Sequence, residues 1–168
     1  MITAPIQGYY GPVGAGPRGN YFLVNGMVLN QSLTATANAG STLVTVPGRG
    51  NQAPQQFNRP VSAVAAAGAT LFARFIQPVV ASANVLVSEP PSLELVDVNT
   101  GQTTRTASVL EGPLSTQVGT QRVNVAGRAL AVDPSGTTAY ALTTGGLSII
   151  PLDAPAAADR PQVNRDGV

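Results

Sequence analysis

Ala129 to Asp153, ALAVDPSGTTAYALTTGGLSIIPLD, is the stretch whose reading decides the fold. It divides into short strands joined by two tight turns. Asp133-Pro134-Ser135-Gly136 suits a type I turn, with Asp bonding ahead to the backbone, Pro presetting φ and Gly at the fourth position. Thr144-Gly145-Gly146 supplies the second turn, because glycine accepts positive φ without a steric penalty. The runs Thr137 to Thr143 and Leu147 to Leu152 have strand length and β-branched or aromatic content. Ile149 and Ile150 are neighbours and point to opposite faces. A strand apolar on both faces is expected to be covered on both, as in a sheet held between other sheets. Pro151 cannot donate to a ladder and belongs near a strand end or at an edge.

An earlier part of the chain echoes this stretch. With Gly136 set on Gly68, Ala131 falls on Ala63, Val132 on Val64, Thr138 on Thr70, Tyr140 on Phe72 and Ala141 on Ala73. A fainter echo sets Gly40 on Gly68 and brings Thr42-Leu43-Val44 onto Thr70-Leu71-Phe72. The spacing is uneven, so this is no regular tandem array. Sheet units that recur with variable loops point towards a propeller.

Composition narrows the chemistry. The 168 residues suit one domain with a real core. Glycine and proline are frequent, with 18 and 14 residues, which implies many turns and few helices. Only 10% of residues are charged, the net charge is +1, and every basic residue is arginine, scattered along the chain. Phosphate-backbone binding needs clustered cations, so nucleic acid is not an expected partner. The chain has no cysteine and no histidine. Disulfides, thiolate chemistry, Ser-His-Asp and Cys-His triads, and the usual zinc and haem ligand sets are therefore excluded. No lysine is available for a phosphate loop. The lone Gly14-Ala15-Gly16 has no strand expected before it and carries no weight. No membrane span is expected, since the charge-free run from Gly19 to Gly48 is too rich in Asn, Gln, Ser, Thr and Gly. The opening MITAPIQGYYG lacks the basic and apolar regions of a signal peptide.

Taken in order, residues 1–19 are Gly- and Pro-rich and read as a flexible entry loop. Within it, Tyr9 and Tyr10 are the candidate surface-contact residues, a stacking surface for sugar or peptide; the plainer role is to pin the loop onto the body. Asn20 to Leu33 reads as a hairpin about Asn25-Gly26, Ser41 to Val46 as a strand, and Pro47 to Pro60 as a polar loop. The Ala-rich run Val61 to Ala73 admits a helix, but its echo of the later strand-turn-strand favours strands. Ser92 to Val98, SLELVDV, alternates, with Leu93 and Leu95 on one side and Glu94, Val96 and Val98 on the other. Asn99-Thr100-Gly101 is a turn. Gln102 to Val109 is a Thr-rich strand suited to an outer edge. Residues 154–168 read as a linker or tail.

The run Val96-Asp97-Val98-Asn99-Thr100-Gly101, the turn Asp133-Pro134-Ser135-Gly136 and Tyr140 together resemble the repeat of bacterial YVTN-type β-propellers, the lactonase-like and NHL-like repeat proteins. The likeness covers about 90 to 150 well and 20 to 75 loosely. The YVTN tetrapeptide is absent; Tyr140-Ala141-Leu142-Thr143 occupies its place. The resemblance implies four-stranded blades of roughly 40 to 45 residues in a closed ring. The parse gives a partial blade at 20–46, a blade with an insertion at 61–111 and a partial blade at 122–153. These are too few to close a ring, so the chain is expected to be the C-terminal portion of a longer propeller or a fragment that stays open. The expected fold is all-β, with antiparallel four-stranded blade-like sheets in a partial β-propeller; a β-sandwich is the alternative.

Carboxylates remain as the only catalytic candidates: Glu89, Glu94, Glu111, Asp97, Asp133 and Asp153. Pairs of them serve glycoside hydrolysis or calcium binding elsewhere. Here each has a plainer place, as a turn cap, at a strand end or on an outward face. No cofactor or metal is expected. The expected function is a noncatalytic scaffold or binding module of an exported or cell-surface bacterial protein. It would partner the rest of a propeller or a second copy through exposed strand edges, or take a protein or carbohydrate ligand. The alternatives are a fragment of a lactonase-like enzyme whose catalytic residues lie elsewhere, and an adhesion-type β-sandwich.

Overall fold

The computed structural model describes residues 12–24, 26–40, 42–48, 50–78, 89–112, 115–118, 121–124 and 129–153. Among these the chain is all-β and antiparallel, with no α-helix and one 3-10 turn at Pro17–Gly19. Sheet 1 is a meander of β1 (Val13–Ala15), β2 (Phe22–Val24), β3 (Met27–Leu29) and β4 (Ala35–Asn38). A separate hairpin, β5 (Leu43–Val46) with β6 (Gln55–Asn58), follows. Sheet 2 is the meander β7 (Val61–Ala66), β8 (Leu71–Ile76), β9 (Ser92–Asp97) and β10 (Thr103–Ser108). A second hairpin, β11 (Ser115–Val118) with β12 (Gln121–Asn124), leads to sheet 3, made of β13 (Leu130–Val132), β14 (Thr138–Thr143) and β15 (Gly146–Pro151).

The turns form where small or special residues stand. Gly26, at φ 73°, leads into Met27, which pairs with Val24 of β2. In the Asp133 turn, Gly136 N–H donates to Asp133 O at 2.9 Å and Gly136 has φ 74°. These positive angles are cheap only for glycine. The Ala-rich run 61–73 is strand, turn and strand, as its echo predicts, with Ala63, Ala65 and Ala73 on the face towards sheet 3 and Ala66 on the face towards sheet 1.

The sheets stack face to face. Tyr21, Leu23, Val28 and Ala39 of sheet 1 pack on Phe72, Val96 and Val98 of sheet 2. The other face of sheet 2, with Ala63, Ala73, Phe75, Leu93, Leu95 and Val109, packs on Leu130, Ala139, Ala141, Ile150 and Leu152 of sheet 3. Sheet 2 is thus the middle layer, with a core on each side, one layer more than a two-sheet sandwich has. The first strands lie side by side, β7 against β1 on one flank and β13 on the other.

Several boundaries differ from those read in the sequence. Within 1–19, residues 13–15 are a strand rather than loop, held by Val13 opposite Val24 and Ala15 opposite Phe22. Sheet 1 therefore runs from Val13 to Asn38 rather than 20–46. Leu43–Val46 leaves that sheet and pairs with β6 inside the expected polar loop, where Phe57, Val44 and Val46 form a small cluster of their own. In 122–153 only Leu130 to Pro151 builds sheet 3, since residues 121–124 pair back onto β11. The expected double cover of the last strand is half met: Ile150 is buried and Ile149 is 65% exposed. Tyr9, Tyr10 and the tail 154–168 lie outside the described residues.

The repeat is real but set differently. Equivalent hairpins are closed by Gly16 N–H to Tyr21 O, Ala67 N–H to Leu71 O and Asp133 N–H to Thr138 O, each at 2.9 Å. Beside them stand the cross-strand pairs Ala15–Phe22, Ala66–Phe72 and Val132–Ala139. Phe72 therefore corresponds to Ala139, not Tyr140, because the two aligned glycines are not equivalent: Gly68 directly follows its closing residue Ala67, while Gly136 comes three residues after Asp133. The fainter echo at Gly40 pairs unlike elements, since the strand after Gly40 belongs to the separate hairpin.

Candidate loop-end surface of sheets 2 and 3

The feet of the chain's long connections lie at one end of sheets 2 and 3. Residues 77–91 join β8 to β9, the β5–β6 hairpin enters at Arg59, and 109–129 leaves towards sheet 3. Their feet are tied together by two charged side chains and one apolar contact.

Arg59 is the first tie. It is buried, and its guanidinium donates through Nε to Gln77 O at 2.8 Å, and through Nη2 to Pro90 O and to Ser92 Oγ at 3.3 Å. It thereby holds both feet of the 77–91 connection against the base of the β5–β6 hairpin. A buried guanidinium is costly unless its fork of donors is met, and carbonyl oxygens meet it here. Pro78 then lies against Gly112 at the foot of the next connection.

Glu111 is the second tie. Its carboxylate accepts from Thr143 Oγ1 at 3.0 Å and from Gly145 N–H at 2.5 Å, while Thr144 N–H donates to Gly112 O at 3.1 Å. A Cβ on residue 145 would meet the Glu111 carboxylate, so a larger residue there would push this side chain off the turn. Between Val109, buried in the core, and Glu111, fixed to the turn, Leu110 is fully exposed at 100%.

The remaining sequence candidates are dispersed. Asp133 accepts from Ser135 Oγ and from the backbone N–H groups of Thr138 and Thr137, at 2.9 and 2.8 Å, which hold its carboxyl at about 2. Asp97 accepts from Thr100 N–H at 2.8 Å and Asn99 N–H at 2.9 Å, and its pKa is likewise lowered. Both cap turns at the opposite end of their strands. Glu94 is opposite Arg74 in the ladder and bonds it, Nε to Oε2 at 2.8 Å, inside the face shared with sheet 1. Glu89 stands at the foot of the 77–91 connection and Asp153 is exposed after β15. Among the described residues no three acidic side chains gather as a metal set would. No helix among them is long and apolar enough to cross a membrane.

Sequence reasoning missed Arg59 and Leu110. A lone arginine between a polar stretch and a strand looks solvated, and only the carbonyls that converge on it in space reveal its role. Leu110 lies in a run, Val109-Leu110, that reads as a strand end. Compared with known proteins, the chain matches no family model, no curated protein and no solved structure.

Proposed function

We propose that the chain is a portion of a β-propeller and serves as a noncatalytic scaffold or binding module of an exported or cell-surface bacterial protein. The observation that carries this reading is the anchoring of the feet of the long connections at one end of the sheets. In stacked-sheet repeats, insertions on one end build the contact surface while the sheets hold it rigid. Here Arg59 and Glu111 fix the feet of the connections and leave Leu110 projecting between them. An anchored loop with one exposed apolar side chain suits a protein or carbohydrate surface. The carboxylates give no support to hydrolysis, because Asp97, Asp133, Glu94 and Glu111 are each engaged with a turn or an ion pair.

The test is a binding screen of the purified chain against immobilised bacterial polysaccharides and peptide libraries, run beside Leu110→Asp. A ligand whose binding falls at least tenfold in the variant supports the reading. Hydrolysis of γ-butyrolactone above background, or saturable stabilisation by calcium or zinc, would replace it with the lactonase-like enzyme.

A further inference from the structure

Sheet 3 carries a face built to be covered. The closing bonds of the hairpins set Tyr140 on Ala73 and Leu142 on Phe75, and the ladders to β15 and β9 set Ile149 on Leu95 and Leu147 on Leu93. In sheet 2 these four positions are 0 to 7% exposed, because sheet 3 lies on them. In sheet 3 the same four are 38%, 38%, 65% and 62% exposed. The cross-strand pairs Tyr140–Ile149 and Leu142–Leu147 make the patch contiguous, and no charged residue interrupts it.

The first sheet carries the matching face. By the same superposition Val13, Ala15 and Phe22 stand where Val64, Ala66 and Phe72 stand in sheet 2. Those three point at the preceding sheet, and Phe72 is buried there. In sheet 1 no sheet precedes among the described residues: Val13 is 63% exposed and Phe22 half-buried. Val24 and Met27, both half-buried, continue this uncharged face, and Leu29 opposite Phe22 is buried.

We infer that a second copy of this chain docks head to tail, the Val13–Phe22 face of one copy covering the Tyr140–Ile149 face of the other. The stacking rule seen twice within the chain would then continue between chains, first strand beside first strand. The partner is recognised by an apolar sheet face that it shares with the sheets already stacked, which an unrelated protein would not supply. Edge pairing is a poorer route. Leu152 N–H bonds inward to Thr137 O, so the alternate residues Leu147, Ile149 and Pro151 turn their backbone outward, and Pro151 has no N–H to give. Such a contact is heterologous: it closes into a ring or runs on as a filament. This inference concerns the two ends of the stack and does not depend on the loop-end binding surface.

The test uses the full chain and two variants, Val13→Arg and Ile149→Arg, each checked by circular dichroism and thermal melting for an intact fold. Mass is read by light scattering and sedimentation from about 1 μM upward. The expected result is a concentration-dependent assembly that each variant weakens at least tenfold. Mixing the two variants restores a one-to-one complex, since each retains the face the other has lost. The chain has no cysteine, and Val64, the counterpart of Val13, lies against Gly14, the counterpart of Ala131, so Val13→Cys mixed with Ala131→Cys should form the crossed disulfide in preference to either like pair. A monomer at every concentration, an assembly untouched by both variants, or preferential Ala131→Cys self-crosslinking would each overturn the proposal.

Discussion

Tyr21 reaches out of sheet 1 and donates its hydroxyl to Leu71 O at 2.9 Å, on the turn that closes the first hairpin of sheet 2. Gly68 O lies 3.2 Å from the same oxygen. One phenol thereby joins two layers, and Asn20 Nδ2 adds a parallel bond to Ala69 O at 3.2 Å. Tyr21→Phe keeps the ring and loses the bond, so stability should fall by about 1 kcal/mol, read from urea unfolding near neutral pH. Burial pushes the Tyr21 phenol up to about 12. Between the unfolded value near 10 and this one, only the unfolded state loses the proton, so stability falls as pH rises through that window. Tyr21→Phe should flatten this alkaline limb.

Arg74 and Glu94 form a nearly buried pair, Nη2 to Oε2 at 2.6 Å, and Arg74 Nη1 also reaches Gly40 O at 3.4 Å. Removing either charge leaves the other uncompensated between sheets 1 and 2. Arg74→Met alone, or Glu94→Leu alone, should cost roughly 3 kcal/mol, whereas the two together should recover most of it. A double-mutant cycle by urea unfolding measures the coupling.

Asp133 holds its turn as a carboxylate. Its folded value is depressed to about 2, first by the Ser135 hydroxyl and then by Thr138 and Thr137. A depressed acid stabilises above its unfolded pKa and loses that contribution as pH falls through the folded one, here between about 4 and 2. Asp97, lowered chiefly by Thr100 N–H, adds to the same window. Melting temperature should drop between pH 4 and 2, and Asp133→Asn should be less stable at pH 7 while losing less on acidification.

Gly40 and Gly101 share a left-handed backbone, φ 72° and 71°, and differ in surroundings. A Cβ at Gly40 meets open space, while one at Gly101 would run into the Asn38 carbonyl of sheet 1. Gly40→Ala should cost about 1 kcal/mol for the backbone alone. Gly101→Ala should cost at least about 1 kcal/mol more, because two sheets must part. Paired thermal melts of the two variants test this.

Local chemistry carried most of the architecture. Asn25-Gly26, Asp133-Pro134-Ser135-Gly136 and Thr144-Gly145 announced their turns, and the alternation of Leu93-Glu94-Leu95-Val96 gave the correct faces. Strands of three or four residues in polar or Gly-rich surroundings were illegible. Val13–Ala15 and Gln55–Asn58 exist because a partner strand pairs with them, and a single sequence does not show that partner. The echo joins the right two hairpins but pairs glycines from different places in their turns, so it sets Tyr140 on Phe72 although the two face opposite ways. Arg59 and Glu111 were beyond reach of pattern, because the carbonyls and amides that hold them come from elements far along the chain.

Each of the three principal sheets is a meander of strands consecutive in the chain. Synthesis on the ribosome thus delivers the sheets one at a time, and each newly emerged layer meets an earlier one already able to receive it. Short-range pairing of this kind speeds closure and limits the time a half-built sheet waits without partners.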